Sequence, residues 1–428
     1  MKLTDQEKAM LDGAEGPARA KAMDLLVRYG EALGAERLVD TNNVCGTMVA
    51  TNPFIREFVN KYDGSLDAIF SEFNLDITEH VEIPMVKAFS CHLEQSIDPD
   101  HWETQGVKPE LMELHRANEA FNAKIGINLM CTCTPFLVGN VPVKGEHCAW
   151  MESSAVVYIN SVLGARSNVE GRESTGAAML TGKIPYWGFH LDENRYATHQ
   201  INVDVDIKNS LDWGLLGYFT GKSVLERVPV INGKNLAKNL NYLKHFGAAS
   251  ASSGGVEMFH IPGITPEANS VQEALGGKKP VETFKFGEAE RRYAYEQLNA
   301  FAKDPEVDFV MLGCPHASIE QVWEICKMLH GKHIHQNSNL WIFTPRAIRE
   351  LADRNGYTKI INDAGAHLMS DTCPALGQVM PKGTKVVATD SAKQAYYLPS
   401  ILGVQTWFGS TEDCVNAAIT GRWDGELR

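Results

Sequence analysis

Three cysteines stand in the same kind of local sequence. Cys314 follows a short apolar run and is directly followed by proline, Cys373 is directly followed by proline, and Cys133 stands two residues before one. A proline beside a thiolate stiffens the loop and removes a backbone donor, which suits a sulfur held at a fixed angle to iron. Three thiolates leave one coordination position open, as Lewis-acid chemistry requires. The repeated pattern therefore favours a metal site, and the spacing alone does not identify the metal.

Each of these cysteines, taken alone, also fits a small buried side chain, which is the common state of an unpaired cysteine. No compact Cys-x-x-Cys pair is present to identify the metal. Cys131 is an alternative to Cys133, and we prefer Cys133 because it is closer to Pro135. We interpret the remaining cysteines as structural: Cys45, Cys91, Cys148, Cys326 and Cys414.

A dense set of hydrogen-bond donors follows the segment 145–164, which reads as a helix ending at Gly164. Arg166, Ser167 and Asn168 combine a guanidinium, a hydroxyl and an amide in a loop bounded by glycine. Such a set suits the binding of a carboxylate. A solvated loop at a helix end is the alternative.

Groups that can transfer protons lie at the start of the same predicted helix and in two later segments. The polar run 188–195 is denser than an ordinary turn, and residues 389–399 follow a predicted strand. We expect proton transfer to involve Glu152, Ser153, His147 and Lys393. We expect substrate binding to involve Arg166, Ser167, Asn168, His190, Ser391 and Lys393.

Strands that alternate with helices are expected to carry these side chains. The clearest are a strand at 308–313, a helix at 318–329 that Ser318 caps, a strand at 340–343, a helix from Pro345 to Asn355, and strands at 359–361 and 385–388. Such alternation predicts parallel sheets covered by helices, with ligands beyond the carboxyl ends of the strands. One or two helices are expected within 8–33 and mixed structure within 51–121, while the small residues of 247–255 suit a mobile connection or a close-approach loop.

The chain of 428 residues is long enough for two or three domains. We expect residues 1–240 to carry Cys133 and the Arg166 loop, and residues 241–428 to carry Cys314 and Cys373. A formal net charge of -13 disfavours nucleic acid and anionic membranes as partners. Neither a membrane span nor a secretory signal is recognisable, so a cytoplasmic location is expected, where nine cysteines remain thiols.

An ordered set of segments along nearly the whole chain resembles the aconitase X family. The segments are 3–16, Thr132–Pro135, Gly145–His147, Glu152–Ser154, Asn160–Asn168, Gly188–Arg195, Gly313–Pro315, Thr372–Pro374 and Ser391–Lys393. The resemblance implies an α/β fold of aconitase-like three-layer α/β/α domains, with mainly parallel sheets around a central cleft. It further implies an iron–sulfur cluster, or a mononuclear iron, on Cys133, Cys314 and Cys373.

Members of this family are dehydratases, so the resemblance implies a hydro-lyase that acts on cis-3-hydroxy-L-proline, on mevalonate 5-phosphate or on another small hydroxy acid. The family also needs a small swivel domain that supplies a serine. The stretch after Cys414 is too short for that domain, so a separate small subunit is the expected partner. The segment 41–47 lacks the histidine that such members usually have there, which leaves the substrate open.

Two rival readings of the sequence remain. An aconitase-like chain that has lost its proton-transfer groups would act as a non-catalytic iron–sulfur sensor or regulatory subunit. A redox protein with a fully ligated cluster would need a fourth cysteine, such as Cys131 or Cys45. In a dehydratase, the base is either a serine of the small subunit or a carboxylate or imidazole of this chain.

Overall fold

The computed structural model describes residues 1–46 and 61–428. The segment 41–47 is therefore described up to Gly46. The first part of the stretch 51–121, predicted as mixed helix and strand, lies outside the described residues as far as residue 60. No helix in the described ranges is long and apolar enough to cross a membrane.

The amino-terminal part contains a four-stranded parallel sheet. Its strands are β2 (Asn43–Gly46), β3 (Phe89–His92), β4 (Ile127–Asn128) and β5 (Ala149–Trp150), in the order β4-β3-β2-β5. The helices are α1 (Asp5–Leu11), α2 (Pro17–Ala32), α3 (Leu66–Leu75), α4 (Pro109–Lys124), α5 (Ser153–Tyr158) and α6 (Arg172–Thr181). Strand β1 (Leu38–Asp40) pairs antiparallel with β6 (Lys183–Pro185).

The middle part contains a three-stranded parallel sheet. Its strands are β7 (His199–Val203), β8 (Pro229–Gly233) and β9 (Glu282–Phe286), in the order β8-β7-β9. Its helices are α7 (Ser210–Val224), α8 (Leu240–Gly254), α9 (Val271–Ala274) and α10 (Glu288–Leu298). The predicted division at residue 240 coincides with the start of α8, and it stays a prediction.

The carboxyl-terminal part contains a five-stranded parallel sheet. Its strands are β10 (Phe309–Leu312), β11 (Asn339–Thr344), β12 (His367–Ser370), β13 (Val386–Thr389) and β14 (Gln405–Phe408), in the order β12-β11-β10-β13-β14. Its helices are α11 (Ile319–Leu329), α12 (Arg346–Arg354), α13 (Tyr357–Asp363), α14 (Pro374–Gly377), α15 (Ala392–Leu402) and α16 (Thr411–Thr420).

Helices cover both faces of this last sheet. Alternate side chains of each strand point to opposite faces, and the apolar side chains on both faces are buried under these helices. Val310 and Leu312 belong to a core shared with α11, α13 and α16, whereas Phe309 and Met311 belong to a second core with Leu398 of α15. Strands buried on both faces read as continuous apolar runs, which is why the sequence revealed them. The predicted α/β class with mainly parallel sheets is confirmed.

Several predicted elements are confirmed with small shifts of their ends. The strands at 308–313, 340–343 and 385–388 are β10, β11 and β13, and the helices within 8–33 are α1 and α2. Ser318 caps α11 through a capping box with Gln321. Its hydroxyl satisfies a backbone N–H that the first turn leaves free.

Three predicted elements are wrong. The residues 359–361 lie in α13, and the strand that precedes Cys373 is β12. The segment 145–164 is not one helix, because residues 149–150 form β5, the helix α5 begins at Ser153, and a π-helical turn spans Ile159–Leu163. Residues 247–254 lie in α8, where small side chains permit a close approach: a Cβ at Gly254 would lie 1.9 Å from the carbonyl of Gly221 on α7.

Candidate functional site

The site forms at the point of the five-stranded parallel sheet where the order of the strands reverses. From β10 the chain builds outward to β11 and β12, and it then returns to the other side of β10 to form β13 and β14. Such a switch leaves a crevice at the carboxyl ends of the two central strands, where ligands of parallel α/β sheets bind. Cys314 follows β10, whereas Ser391 and Lys393 follow β13.

His316 ties the loops of the three predicted ligand cysteines together. Its backbone N–H donates to the sulfur of Cys133 at 3.3 Å. Its imidazole lies 2.8 Å from the hydroxyl of Thr132 through Nδ1, and 3.0 Å from the carbonyl of Thr372 through Nε2. A carbonyl only accepts, so Nε2 carries the proton and Nδ1 accepts from Thr132. Each ring nitrogen therefore holds a residue that precedes one of the cysteines.

The three sulfurs influence one another inside the protein. Burial raises the pKa of Cys133, with Cys314 among the charges that add to it, and burial and then Cys314 raise the pKa of Cys373 to about 12. Burial raises the pKa of Cys314 as well. The structure therefore brings the three predicted ligands into one region.

The donor chemistry is that of an iron–sulfur or iron site, because thiolates are the ligands that hold iron–sulfur clusters in proteins. Within residues 1–46 and 61–428, no three side chains of His, Cys, Asp or Glu stand close enough to hold one metal ion. The thiolates of a cluster bind different iron atoms and stand farther apart than the ligands of one ion. Three thiols converge from three separate loops, two of them buried and that of Cys373 partly exposed, and this set suits such a cluster.

Polar groups at the start of α15 surround the sulfur of Cys314. The side-chain N–H of Gln394 donates to this sulfur at 2.9 Å, and a hydrogen bond with Ser391 also lowers its pKa. Ser391 caps α15 by accepting from the backbone N–H of Gln394. Because a helix N-terminus carries positive partial charge, it favours a thiolate or another negative group here.

A carboxylate and a lysine form an ion pair beside the cysteines. Lys393 Nζ lies 2.6 Å from Glu152 Oε1, and the two side chains are 14% and 16% exposed. Burial alone would raise the pKa of Glu152, but the charge of Lys393 and its hydrogen bond lower it. Burial would lower the pKa of Lys393, but Glu152 and Cys314 raise it well above its usual value. Both groups are therefore charged at neutral pH.

Glu94 is a second carboxyl in the same region that sequence reasoning missed. Its side chain is buried, and Oε2 has no hydrogen-bond partner in the described part of the chain. Burial and the charge of Glu152 raise its pKa to about 8. Glu94 follows the end of β3 by two residues. The strand-end rule, applied to the residues before 121, is the signal that would have found it.

The predicted carboxylate-binding loop is occupied by internal contacts. Arg166 forms an ion pair with Asp192 and donates to the carbonyl of His190 at 2.7 Å. The hydroxyl of Ser167 accepts from the N–H of Trp150 and donates to the carbonyl of Asn168. The amide of Asn168 bonds the backbone of residues 187 and 189.

His147 and His190 belong to this second group, because their Nδ1 atoms lie 2.9 Å apart. Burial lowers the pKa of His190 to about 3, so that ring is neutral. His147 pairs with Arg166 ahead of β5, whereas Glu152 follows the other end of that strand. His147 and Glu152 are separated by five positions, which at roughly 3.3 Å per extended residue is a span of at most about 16 Å.

Ser153, the remaining predicted residue, is the first residue of α5 beside Glu152. The structure thus groups Cys133, Cys314, Cys373, Glu152, Lys393 and Ser391, together with Glu94. A cavity of about 650 Å³ at the ends of β7, β8 and β9 contains none of these residues. The volume of a cavity therefore does not by itself locate the candidate active site.

Comparison with known proteins covers almost the whole chain. Residues 1–193 match the model of the aconitase X first domain, residues 197–296 that of the second domain and residues 307–420 that of the third domain. A solved structure of aconitase X from Thermococcus kodakaraensis in its holo-form has a TM-score of 0.82 and 32% sequence identity, and the match covers 98% of this chain and 100% of that chain. The predicted aconitase-like fold is confirmed.

Two kinds of enzyme stand among the relatives. The phosphomevalonate dehydratase large subunit of Methanocaldococcus jannaschii is 37% identical, over 96% of this chain and 99% of that protein. The cis-3-hydroxy-L-proline dehydratase of Hypocrea jecorina is 32% identical, over 100% of this chain and 70% of that protein.

Proposed function

The chain belongs to the aconitase X family and is a dehydratase, and on that premise we propose that it is the large subunit of an iron–sulfur-dependent hydro-lyase of a small hydroxy acid. The observation that carries the proposal is the meeting of three cysteine loops on His316, beside the Glu152–Lys393 ion pair. Cys133 comes from the amino-terminal part of the fold, and Cys314 and Cys373 come from the carboxyl-terminal part.

Cys133, Cys314 and Cys373 are the residues that would hold the cluster. When bound there, it would supply a Lewis-acidic iron with an open position for a departing hydroxyl. Gln394, Ser391 and the N-terminus of α15 keep the surroundings of Cys314 favourable to negative charge. In the reducing cytoplasm that the sequence predicts, these cysteines remain thiols.

Glu152 and Lys393 are the side chains placed to act on the substrate. Lys393 uses one N–H on Glu152, and its two other donors can bind a substrate carboxylate. Glu152 is ionised and can accept the proton from the carbon next to the hydroxyl-bearing carbon. A serine of the small subunit is the alternative base. The predicted roles of Ser153, His147, Arg166, Ser167, Asn168 and His190 stay predictions.

The ionisable groups of the site suit a zwitterionic substrate: Lys393 is a cation, Glu152 is an anion, and Glu94, whose pKa is raised to about 8, can release its proton beside an ammonium group. Among the described residues grouped here, Lys393 supplies a cation, and Glu94 and Glu152 supply carboxyls. A cyclic amino acid such as cis-3-hydroxy-L-proline offers the complementary carboxylate and ammonium. Mevalonate 5-phosphate is the second candidate, favoured by the 37% identity to a phosphomevalonate dehydratase large subunit. Its phosphate needs cations beyond Lys393.

A small swivel-domain subunit is the proposed partner. The Methanocaldococcus relative is named a large subunit, and 99% of it is covered by the match. The Hypocrea dehydratase extends beyond the matched 70% of its length. A separate small chain in the first case, and the additional length in the second, would provide the swivel domain.

The test is anaerobic reconstitution of the chain with iron and sulfide, with and without the small subunit. Mass spectrometry then follows the loss of one water from cis-3-hydroxy-L-proline and from mevalonate 5-phosphate. We expect dehydration of one of them only when both subunits and the cluster are present. A cluster-loaded pair that dehydrates neither, nor any related hydroxy acid, would favour the sensor or regulatory subunit.

A further inference from the structure

A lysine lies fully inside the protein behind the cysteine loops. Lys244 on α8 is 1% exposed. Its Nζ donates to the carbonyl of His316 at 2.7 Å and to Gln321 Oε1 at 2.6 Å, and both acceptors are neutral. No Asp or Glu of the described residues forms an ion pair with it. Burying a cation without a counter-charge costs several kcal/mol, so this position needs a compensating negative group.

The peptide group of His316 connects this lysine to the cysteines. The carbonyl of His316 accepts from Lys244, and the N–H of the same residue donates to the sulfur of Cys133 at 3.3 Å. His316 itself stands two residues after Cys314. The peptide group of a single residue, His316, therefore separates the lysine cation from the sulfur of Cys133.

The charges that act on Lys244 point to the same neighbours. Burial lowers its pKa to about 8, and this effect is opposed first by Cys133, then by Asp390 and Cys314. Asp390 is the one carboxylate in that set, and its Oδ2 accepts from Thr411 at 2.8 Å. Two of the three candidate ligand cysteines are thus among the neighbours of the lysine, which remains mostly protonated at pH 7.

We propose that Lys244 is a positioning residue that provides the counter-charge for the thiolates of Cys133, Cys314 and Cys373, and for an iron–sulfur group bound to them. The inference rests on the proposed function. Metal binding replaces neutral thiols by thiolates, and a fixed cation offsets the added negative charge. The same cation favours the more reduced form of the bound group, so it raises the reduction potential. In the metal-free protein the thiols are neutral, and only the charge of Asp390 partly offsets that of the lysine.

The experiment compares the wild-type chain with Lys244→Met and Lys244→Gln, each purified anaerobically with and without a reconstituted cluster. Three quantities are measured: the melting temperature of the metal-free chain, the rate at which a chelator removes iron, and the reduction potential of the cluster. Lys244→Gln removes the charge and keeps an N–H donor, on a side chain one bond shorter, for the carbonyl of His316. Lys238→Met, at an exposed lysine, is the control.

Both Lys244 variants are expected to melt higher than wild type without metal, because the buried charge is gone. With the cluster bound, both should lose iron about 10-fold faster and show a lower reduction potential. A metal-free Lys244→Gln chain that melts lower, or a cluster whose potential and iron loss match wild type, overturns the proposal. A wild-type chain that takes up no cluster contradicts the proposed function instead.

Discussion

At the scale of single residues, burial decides the state of the candidate ligands. It raises the pKa of Cys133, Cys314 and Cys373, so the metal-free chain holds them as neutral thiols at pH 7. Thiolates bind metal, and thiols do not. Loading the site therefore releases protons, and retention of the metal is expected to weaken as the pH falls.

Replacing any one of the three ligands by serine is expected to abolish cluster binding and dehydration. Cys131→Ser is the matched control, because Cys131 is also buried and lies in the same loop as Cys133. Visible absorption and iron content measure the outcome. Loss of the cluster in Cys131→Ser, together with its retention in Cys133→Ser, would exchange the two assignments. Loss in both would indicate a fully ligated redox cluster.

Glu152→Gln is expected to lower the dehydration rate by about 10²- to 10⁴-fold, as the loss of a general base does. The cluster should remain, because Glu152 pairs with Lys393 rather than with a cysteine. Steady-state rates and the visible spectrum check both statements. Glu146→Gln, at a carboxylate of the same segment outside the site, serves as the control. A Glu152→Gln enzyme with wild-type rates would transfer the role to Glu94 or to the small subunit.

Glu170 is expected to make the folded chain less stable as the pH rises. Burial raises its pKa to about 7 from 4.5, and hydrogen bonds from Ser174 and Tyr29 offset only part of this. Between these two values the folded chain keeps a proton that the unfolded chain releases. Raising the pH through this window therefore lowers the free energy of unfolding, by on the order of 3 kcal/mol.

Denaturant unfolding between pH 5 and about 8 tests this effect of Glu170. The Glu170→Gln variant should lose the part of the pH-dependent decrease that Glu170 contributes, while Glu94, Asp371 and Asp390 keep theirs. Its advantage over wild type should grow up to pH of about 7 and then stay constant. Glu110→Gln, at an exposed site, is the control. A Glu170→Gln chain with the wild-type pH profile would show that Glu170 ionises without penalty in the fold.

At the scale of elements, close packing of two helices builds the support behind the site. A Cβ at Gly217 of α7 would lie 2.5 Å from the carbonyl of Phe246 on α8, and α8 also carries Lys244. Gly217→Ala is expected to destabilise the chain by about 1–3 kcal/mol, because the helices must separate. Gly214→Ala on the same helix meets its nearest atoms at 3.4 Å, so it should be neutral or stabilising.

Thermal and denaturant unfolding of the two glycine variants measures this difference. Equal stability of Gly217→Ala and Gly214→Ala would mean that α7 and α8 do not approach as closely as described. The comparison is matched because both substitutions add one methyl group to the interior of the same helix.

The elements also show where sequence reasoning succeeds. Strands β10, β11 and β13 were predicted because both of their faces are buried, which leaves continuous apolar runs, and α11 because Ser318 caps it. Residues 359–361 also contain adjacent isoleucines, yet they lie in the helix α13. Ile361 packs in the core on one face of that helix. A lysine followed by two isoleucines is too short a pattern to distinguish a strand from a helix.

The site was predictable where one segment carries the signal. The cysteines and Ser391 stand in loops after strands, and Lys393 lies in the first turn of the helix that follows β13, so their types and spacing revealed them. The strand-end rule also applies to Glu94, which follows β3. His316 and Lys244 acquire their roles only where separate segments of the chain meet. The Arg166 loop shows the opposite case, since its donors look free in sequence and are bonded to residues 188–192 in the fold.

At the scale of the whole molecule, the site joins the amino-terminal part of the fold to the carboxyl-terminal part. The backbone N–H of Gln95 donates to the carbonyl of Asp371 at 2.7 Å, and Thr372 donates to the carbonyl of Ser96 at 3.1 Å. Glu94 is thereby held beside the Cys373 loop. Binding of a cluster by Cys133 from one part and by Cys314 and Cys373 from the other should raise the melting temperature of the whole chain.

The most direct measurement is X-ray diffraction at the iron absorption edge, from anaerobic crystals of the cluster-loaded chain. The account predicts one anomalous peak, enclosed by the sulfurs of Cys133, Cys314 and Cys373 and facing Glu152 and Lys393, with no fourth protein ligand. Iron bound elsewhere, or bound here by a fourth cysteine, would contradict it.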